Sequence, residues 1–326
     1  MAIVSLNYAV RQSDLVLARR LLEADSNKAL NERDDFRMTP LHHACKSGNL
    51  AMVGLILDHG ADMEVMDENR MRPLHLACKH VQLEVIRLLL DRGAAMESRT
   101  QTMMTPLHMV CDKYLITMCL EIAELLINRG ADTKAKCGSK GWTPLHYVTN
   151  KGYTEMAELL LNKGALLNAR TNKGNTPLHL ACEEGRSEMV RLLLDYDADV
   201  AAMNSQSSTP LHVACKLLRT DIAHLLLSRG ANKEAKDKAN DTPLHVACSL
   251  GLVNTARMLL GRGGDVDARQ CGGRTPLHLA CQNGRLDVAS FLLDQNVSVD
   301  VYDEKRKTPS DLATENGHLD IFWLLA

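Results

Sequence analysis

The chain has 326 residues, 45% of them hydrophobic but only 3% aromatic, and its formal net charge is −2. This supports a sizeable core of Leu, Ala, Ile and Met, and the near-neutral balance argues against nucleic acid or an anionic membrane as partner. No run approaches the ~20 apolar residues of a membrane helix, and Met1-Ala2-Ile3-Val4-Ser5 lacks the basic and apolar regions of a signal peptide.

In chain order, the first recognisable unit is Leu6-Asn7-Tyr8-Ala9-Val10, which aligns with Leu41-His42-His43-Ala44-Cys45. Leu15 and Leu21-Leu22 align in the same way with Leu50 and Ile56-Leu57, so residues 1–38 read as a capping copy. Thr-Pro-Leu-His then begins at Thr39, Thr105, Thr143, Thr176, Thr209, Thr242 and Thr275, with Arg72-Pro73-Leu74-His75 as a variant and Thr308-Pro309-Ser310-Asp311 as a degenerate last copy. The prolines stand at 40, 73, 106, 144, 177, 210, 243, 276 and 309, so seven of the eight intervals are 33 residues and one is 38. A fixed period of this kind marks a repeat array. Full copies start near 39, 72, 105, 143, 176, 209, 242 and 275, and a truncated copy spans 308–326, within a single domain of residues 1–326.

Each copy has a readable local logic. Thr is a good N-cap, and Pro suits the first helical position, where its missing N–H is unpaired anyway. Leu-His-x-Ala-Cys predicts a helix of about two turns. After a polar or glycine break, a second helix carries apolar residues at helical spacing, such as Leu50, Val53, Ile56 and Leu57, and Gly60 ends it. Helices this short are unstable alone and must bury their apolar faces on neighbouring copies.

Between Pro106 and Pro144 there are five extra residues. Four fall between or within the two helices, around Lys113 to Leu120 and close to one helical turn; an extended helix would keep its facing, a pattern that Leu115, Ile116, Cys119 and Ile122 fit, and drift in the length of a tolerant loop is the alternative. The fifth falls around Cys137-Gly138.

With its Thr-Pro-Leu-His signature, 33-residue period and Gly-Ala-Asp at Gly60-Ala61-Asp62 and Gly130-Ala131-Asp132, the chain resembles the ankyrin-repeat family from end to end. The resemblance implies an all-α solenoid of stacked helix-turn-helix repeats with β-hairpin-like fingers, and a concave face of fingers and first helices that binds proteins. It also implies that the motif His ties loop to helix. Glycine three residues before the proline is kept at Gly141, Gly174 and Gly273. Arg37, Arg70, Met103, Ser207, Asn240 and Arg306 depart from it, which predicts a different turn or backbone strain there.

Several constellations invite chemistry. His-x-x-Cys occurs seven times, from His42/Cys45 to His278/Cys281, but one His and one Cys per copy make half a zinc site. Packed helices stand ~8–10 Å apart, and Thr149 occupies one Cys slot, so no metal and no cofactor is expected. The Cys residues read as small buried apolar groups in a reducing compartment, cytoplasmic or nuclear. Cys119, Cys137 and Cys271 lie off this register and are open to exposure. There is no phosphate loop, nucleophile elbow or isolated carboxylate pair, so no enzyme activity is expected.

The residue two before each proline runs Met38, Met71, Met104, Trp142, then Asn175, Ser208, Asp241, Arg274 and Lys307. The apolar first four predict an exposed strip of partner-binding anchors, with Phe36 and Met66 beside it and a polar rim of Lys46, Lys79, His80, Lys113 and Lys151. The alternative is that these side chains only bridge neighbouring fingers. Arg269, Arg274, Lys305, Arg306 and Lys307 form a second charged region, interspersed with acids. The expected function is a monomeric adaptor binding a protein or peptide, without membrane insertion or small-molecule substrate. Two further hypotheses stand beside it. One is a recruiting arm of a larger channel, ligase or effector enzyme, suggested by the uncapped apolar ending Ile321-Phe322-Trp323-Leu324-Leu325-Ala326; the other is a metal or redox protein.

Overall fold

The computed structural model describes residues 5–113 and 116–326. The chain divides into two compact units, the first ending at Asn172 and the second beginning at Lys173, where sequence alone suggests one domain.

In the first unit the capping copy supplies α1 (Leu6–Arg11) and α2 (Leu15–Leu30), the latter broken at Asp25. The following copies supply α3 (Pro40–Ser47) and α4 (Leu50–Asp58), α5 (Pro73–Lys79) and α6 (Leu83–Asp91), α7 (Pro106–Cys111) and α8 (Ile116–Asn128), and α9 (Pro144–Lys151) and α10 (Thr154–Asn162). The odd-numbered helices pack in one row and the even-numbered in a second. The second unit repeats the pattern with α11 (Pro177–Glu183) to α20 (Leu319–Leu325).

The core is assembled once per copy. Leu41, Ala44 and Cys45 on α3 and Met52, Val53 and Ile56 on α4 are buried, as are the equivalents Leu74, Ala77, Cys78, Val85, Ile86 and Leu89 in the next copy, while in the last copy only Ala313 and Ile321 of this set are buried. The motif histidine supplies the polar tie. The Thr39 N–H donates to His42 Nδ1 at 3.1 Å, while His42 Nε2 lies 3.1 Å from the Met71 carbonyl of the next finger. Since Nδ1 accepts, Nε2 carries the proton and donates, which fixes a neutral tautomer. The same arrangement joins His108 to the Trp142 carbonyl at 3.2 Å and His212 to the Asp241 carbonyl at 3.0 Å. Both ring nitrogens are thereby occupied, and among the described residues no group of three or more His, Cys, Asp or Glu could hold a metal ion. Among them, no helix is long and apolar enough to cross a membrane.

The fingers differ from the hairpins that the resemblance implies. Among the described residues the one β-bridge pairs Cys137 with Trp142, in the finger carrying the fifth extra residue. Elsewhere a tight turn is closed by a side chain: Asp67 Oδ1 accepts from the N–H groups of Asn69 and Met71 at 2.8 Å each, and Asp34, Asn204, Asp237 and Asp303 do the same in their fingers. Neighbouring fingers are linked by a backbone bond, such as Glu68 N–H to Phe36 O at 3.0 Å. Their tips keep one left-handed conformation whatever the residue: φ is 60° at Arg37, 58° at Arg70 and 63° at Met103, against 65° at Gly141. The non-glycine tips thus use the same turn and bear its strain, rather than adopting another.

The irregular interval resolves as a longer helix. α8 has 13 residues where α6 has 9, a difference of four, and Cys119 and Ile122 are buried on it. Leu115 and the Ile116 side chain lie outside what the structure describes.

Candidate partner-binding surface

The α1, α3 and α5 helices and the first finger enclose an open cavity of about 480 Å³ in the first unit. Its apolar wall is Val10, Phe36 and Met38; its polar wall is Arg11, Asp34, His43, Lys46, Ser47 and His80. Phe36 is 58% exposed, an aromatic ring standing at the mouth.

A charge cluster fixes one side. Asp34 Oδ2 takes Arg11 Nη2 at 2.8 Å and His43 Nε2 at 2.8 Å. Burial opposes the charge on Asp34, but N–H groups from Met38 and Phe36 and the His43 ring outweigh it and hold its carboxyl below the usual carboxylate range. Burial pushes the His43 pKa down further than Asp34 lifts it, so a neutral ring donates its Nε2–H to the carboxylate.

The expected apolar strip is largely closed. Met38 and Met71 are each 8% exposed and pack together with Leu76, with Met109 against them. Identical side chains in consecutive fingers satisfy one another, so these two are stack-bridging residues and not exposed anchors. Met104 and Trp142 are half-buried; the Trp142 ring meets Tyr147 edge-on at 5.1 Å, with Lys140 Nζ 4.4 Å from its centre. Phe36 and Met66 remain exposed. Of the polar rim, Lys46 and His80 line the cavity and Lys79 is exposed beside them. Lys113 is half-buried, and Lys151 pairs with Asp112 at 3.6 Å.

Sequence reasoning missed Arg11, Asp34 and His43. A signal was present for His43: three residues after each motif proline the other copies carry Leu76, Met109, Tyr147, Leu180, Val213, Val246, Leu279 and Leu312. A polar side chain at a position otherwise apolar or aromatic marks a local function. The cysteines follow the packing reading, with Cys119 and Cys137 buried and Cys271 exposed. At the far end Ile321 is buried while Leu319 and Trp323 are exposed.

A family model for ankyrin repeats matches residues 6–100, 107–204, 200–270 and 262–326, which together take in nearly all of the chain. The chain belongs to the ankyrin-repeat family. Ankyrin repeats are generally protein–protein interaction modules, and the helical stacks described above are those of an ankyrin-repeat protein. A segment of 57 residues is 35% identical to an ankyrin repeat protein of fowlpox virus (strain NVSL), covering 18% of this chain and 8% of that protein. The chain therefore matches under a tenth of that relative's length.

Proposed function

We propose that this ankyrin-repeat chain is a non-catalytic interaction module that holds a protein or peptide partner on the first helices and fingers of its first unit. The observation carrying this reading is the cavity between α1, α3 and α5, with the exposed Phe36 at its mouth. The motif histidines and all but one of the cysteines are consumed by packing, which leaves the cavity walls free for recognition. Phe36 and Met66 are the apolar contacts in this reading, and Lys46, Lys79, His80, Lys113 and Lys151 with Met104 and Trp142 extend the surface.

The test is affinity capture from lysate, quantified by mass spectrometry, comparing the chain with its Phe36→Ser, Met66→Ser double variant. Both side chains are exposed, so the two proteins should melt alike. Proteins captured specifically by the parent and lost by the variant support this surface. Equal recovery of every specific protein by both would remove it from consideration.

A further inference from the structure

The first helices of the first unit carry a row of cations that the second unit lacks. Six residues after the motif proline, or at the aligned position of α1, stand Arg11, Lys46 and Lys79 in consecutive copies. Asp112 and Asn150 take this position in the next two copies, where Lys113 and Lys151 follow them, Lys151 paired with Asp112. The matching positions in the second unit are Glu183, Lys216, Ser249, Gln282 and Glu315. Arg11 is engaged by Asp34, whereas Lys46, Lys79 and Lys113 make no ion pair among the described residues. These lysines act on one spot: burial first, then the charges of Lys46, Lys79 and Lys113, push the His80 pKa down. An uncompensated row of this kind starts at the cavity, which Lys46 and His80 line, and runs across the C-terminal ends of α3, α5 and α7 to Lys113.

We propose that the occupant of this surface is an acidic linear segment of a partner protein. It seats a bulky apolar side chain in the cavity against Phe36 and Met38 and lays its carboxylates along Lys46, Lys79 and Lys113. The inference rests on the reading that this surface binds a protein or peptide, and it adds the chemistry of the ligand. The volume of about 480 Å³ holds one or two large side chains. The lysine row beyond it calls for a ligand longer than a small molecule. A protein segment fits better than nucleic acid, because the apolar cavity wall of Val10, Phe36 and Met38 suits an aliphatic or aromatic side chain and offers a phosphate backbone no partner.

A displayed library of random dodecapeptides is selected against the full chain, with counter-selection on the Phe36→Ser variant. Enriched peptides are then synthesised with a fluorophore and their affinities read by anisotropy. The expected consensus places Asp and Glu around an aromatic or branched aliphatic residue. Its affinity should fall about tenfold or more in the Lys46→Glu, Lys79→Glu, Lys113→Glu variant, and it should weaken as salt is raised. A Phe36-dependent consensus that is neutral or basic would overturn the acidic assignment and leave recognition at this surface standing. If no enriched peptide depends on Phe36, the linear-segment inference fails, while the proposed protein-binding surface is decided separately by the lysate capture with the Phe36→Ser, Met66→Ser variant. If labelled oligothymidine competes with the selected peptides at equal affinity and with the same lysine dependence, the surface is a general polyanion site and the inference is wrong.

Discussion

Mild acid should loosen the first unit, because its buried histidines are held neutral. His75 and His108 have their pKa lowered from 6.5 to about 4, mainly by burial, which outweighs the carbonyls that accept from Nε2. A ring neutral in the fold takes up its proton later than the same ring in the unfolded chain. Between about pH 6.5 and 4 the unfolded chain therefore binds protons that the fold refuses, and stability falls as pH falls. At about pH 5.5, one unit below the unfolded value, each ring costs about 1.4 kcal/mol, so the two together cost about 3 kcal/mol relative to about pH 7.5. The readout is hydrogen exchange of amides in α5 and α7, corrected for intrinsic rates, because it reports this unit alone. A His75→Asn, His108→Asn variant should show a flatter pH dependence. Asn keeps an acceptor for the N-cap, as Asp311 does for the Thr308 N–H at 2.8 Å in the last copy. Protection that stays level from about pH 7.5 to 5.5 in the parent, or falls equally steeply in the variant, would refute the reasoning.

Three stability changes follow from single side chains. Burial first, then the charge of Asp237, raises the Asp241 pKa to about 6, and its Oδ1 is buried without a partner. Asp241→Asn should thus stabilise the protein in urea unfolding at about pH 7.5, by about 1 kcal/mol after discounting for its partial exposure; the gain should shrink as pH falls below about 6 and vanish only below 3.8, where the parent side chain is protonated in the folded and the unfolded chain alike. Arg70 sits at φ 58° with an exposed side chain, so Arg70→Gly should stabilise by about 0.5–1 kcal/mol, seen as a higher Tm; a lower Tm would show that the tip is unstrained. Thr149 Oγ1 is buried with no hydrogen-bond partner in a slot where other copies carry Cys. Thr149→Cys should add about 1 kcal/mol in urea unfolding, and an unchanged or lower midpoint would point to a hidden partner.

The stack was legible because its physics is local and repeated. Thr39-Pro40 begins α3 for the same reason that Thr275-Pro276 begins the helix Pro276–Gln282, and the four extra residues lengthen α8 by one turn without rotating its buried face. Among the described residues the fingers are hairpin-like turns without paired strands, since so short a turn leaves room for few backbone pairs. In the first finger Asp34 N–H bonds the Met38 carbonyl and Arg37 N–H bonds the Asp34 carbonyl, and side-chain oxygen satisfies the rest. The clue lay six residues before the prolines, where Asp34, Asp67, Asn204, Asp237 and Asp303 supply acceptors suited to closing a turn.

The surface was half legible, and the part misread has a single physical cause. Met38 and Met71 hold the same slot in adjacent copies, so each offers the other an apolar neighbour and the pair closes. Phe36 occupies a slot that is Asn69, Thr102, Lys140, Lys173 and Gln206 in the following copies. No neighbour in that row can cover an aromatic ring, and it is left in solvent. His43 inverts the case, as a polar group in an apolar or aromatic row, and it turns to Asp34 at the cavity wall. In a repeat array, similarity between adjacent copies therefore predicts burial, and departure from the row predicts an exposed or specialised side chain. Lys46 and Lys79 add a third case: like charges in adjacent copies cannot satisfy one another as the methionines do. Such a row is repulsive within the stack and is relieved by a ligand of opposite charge.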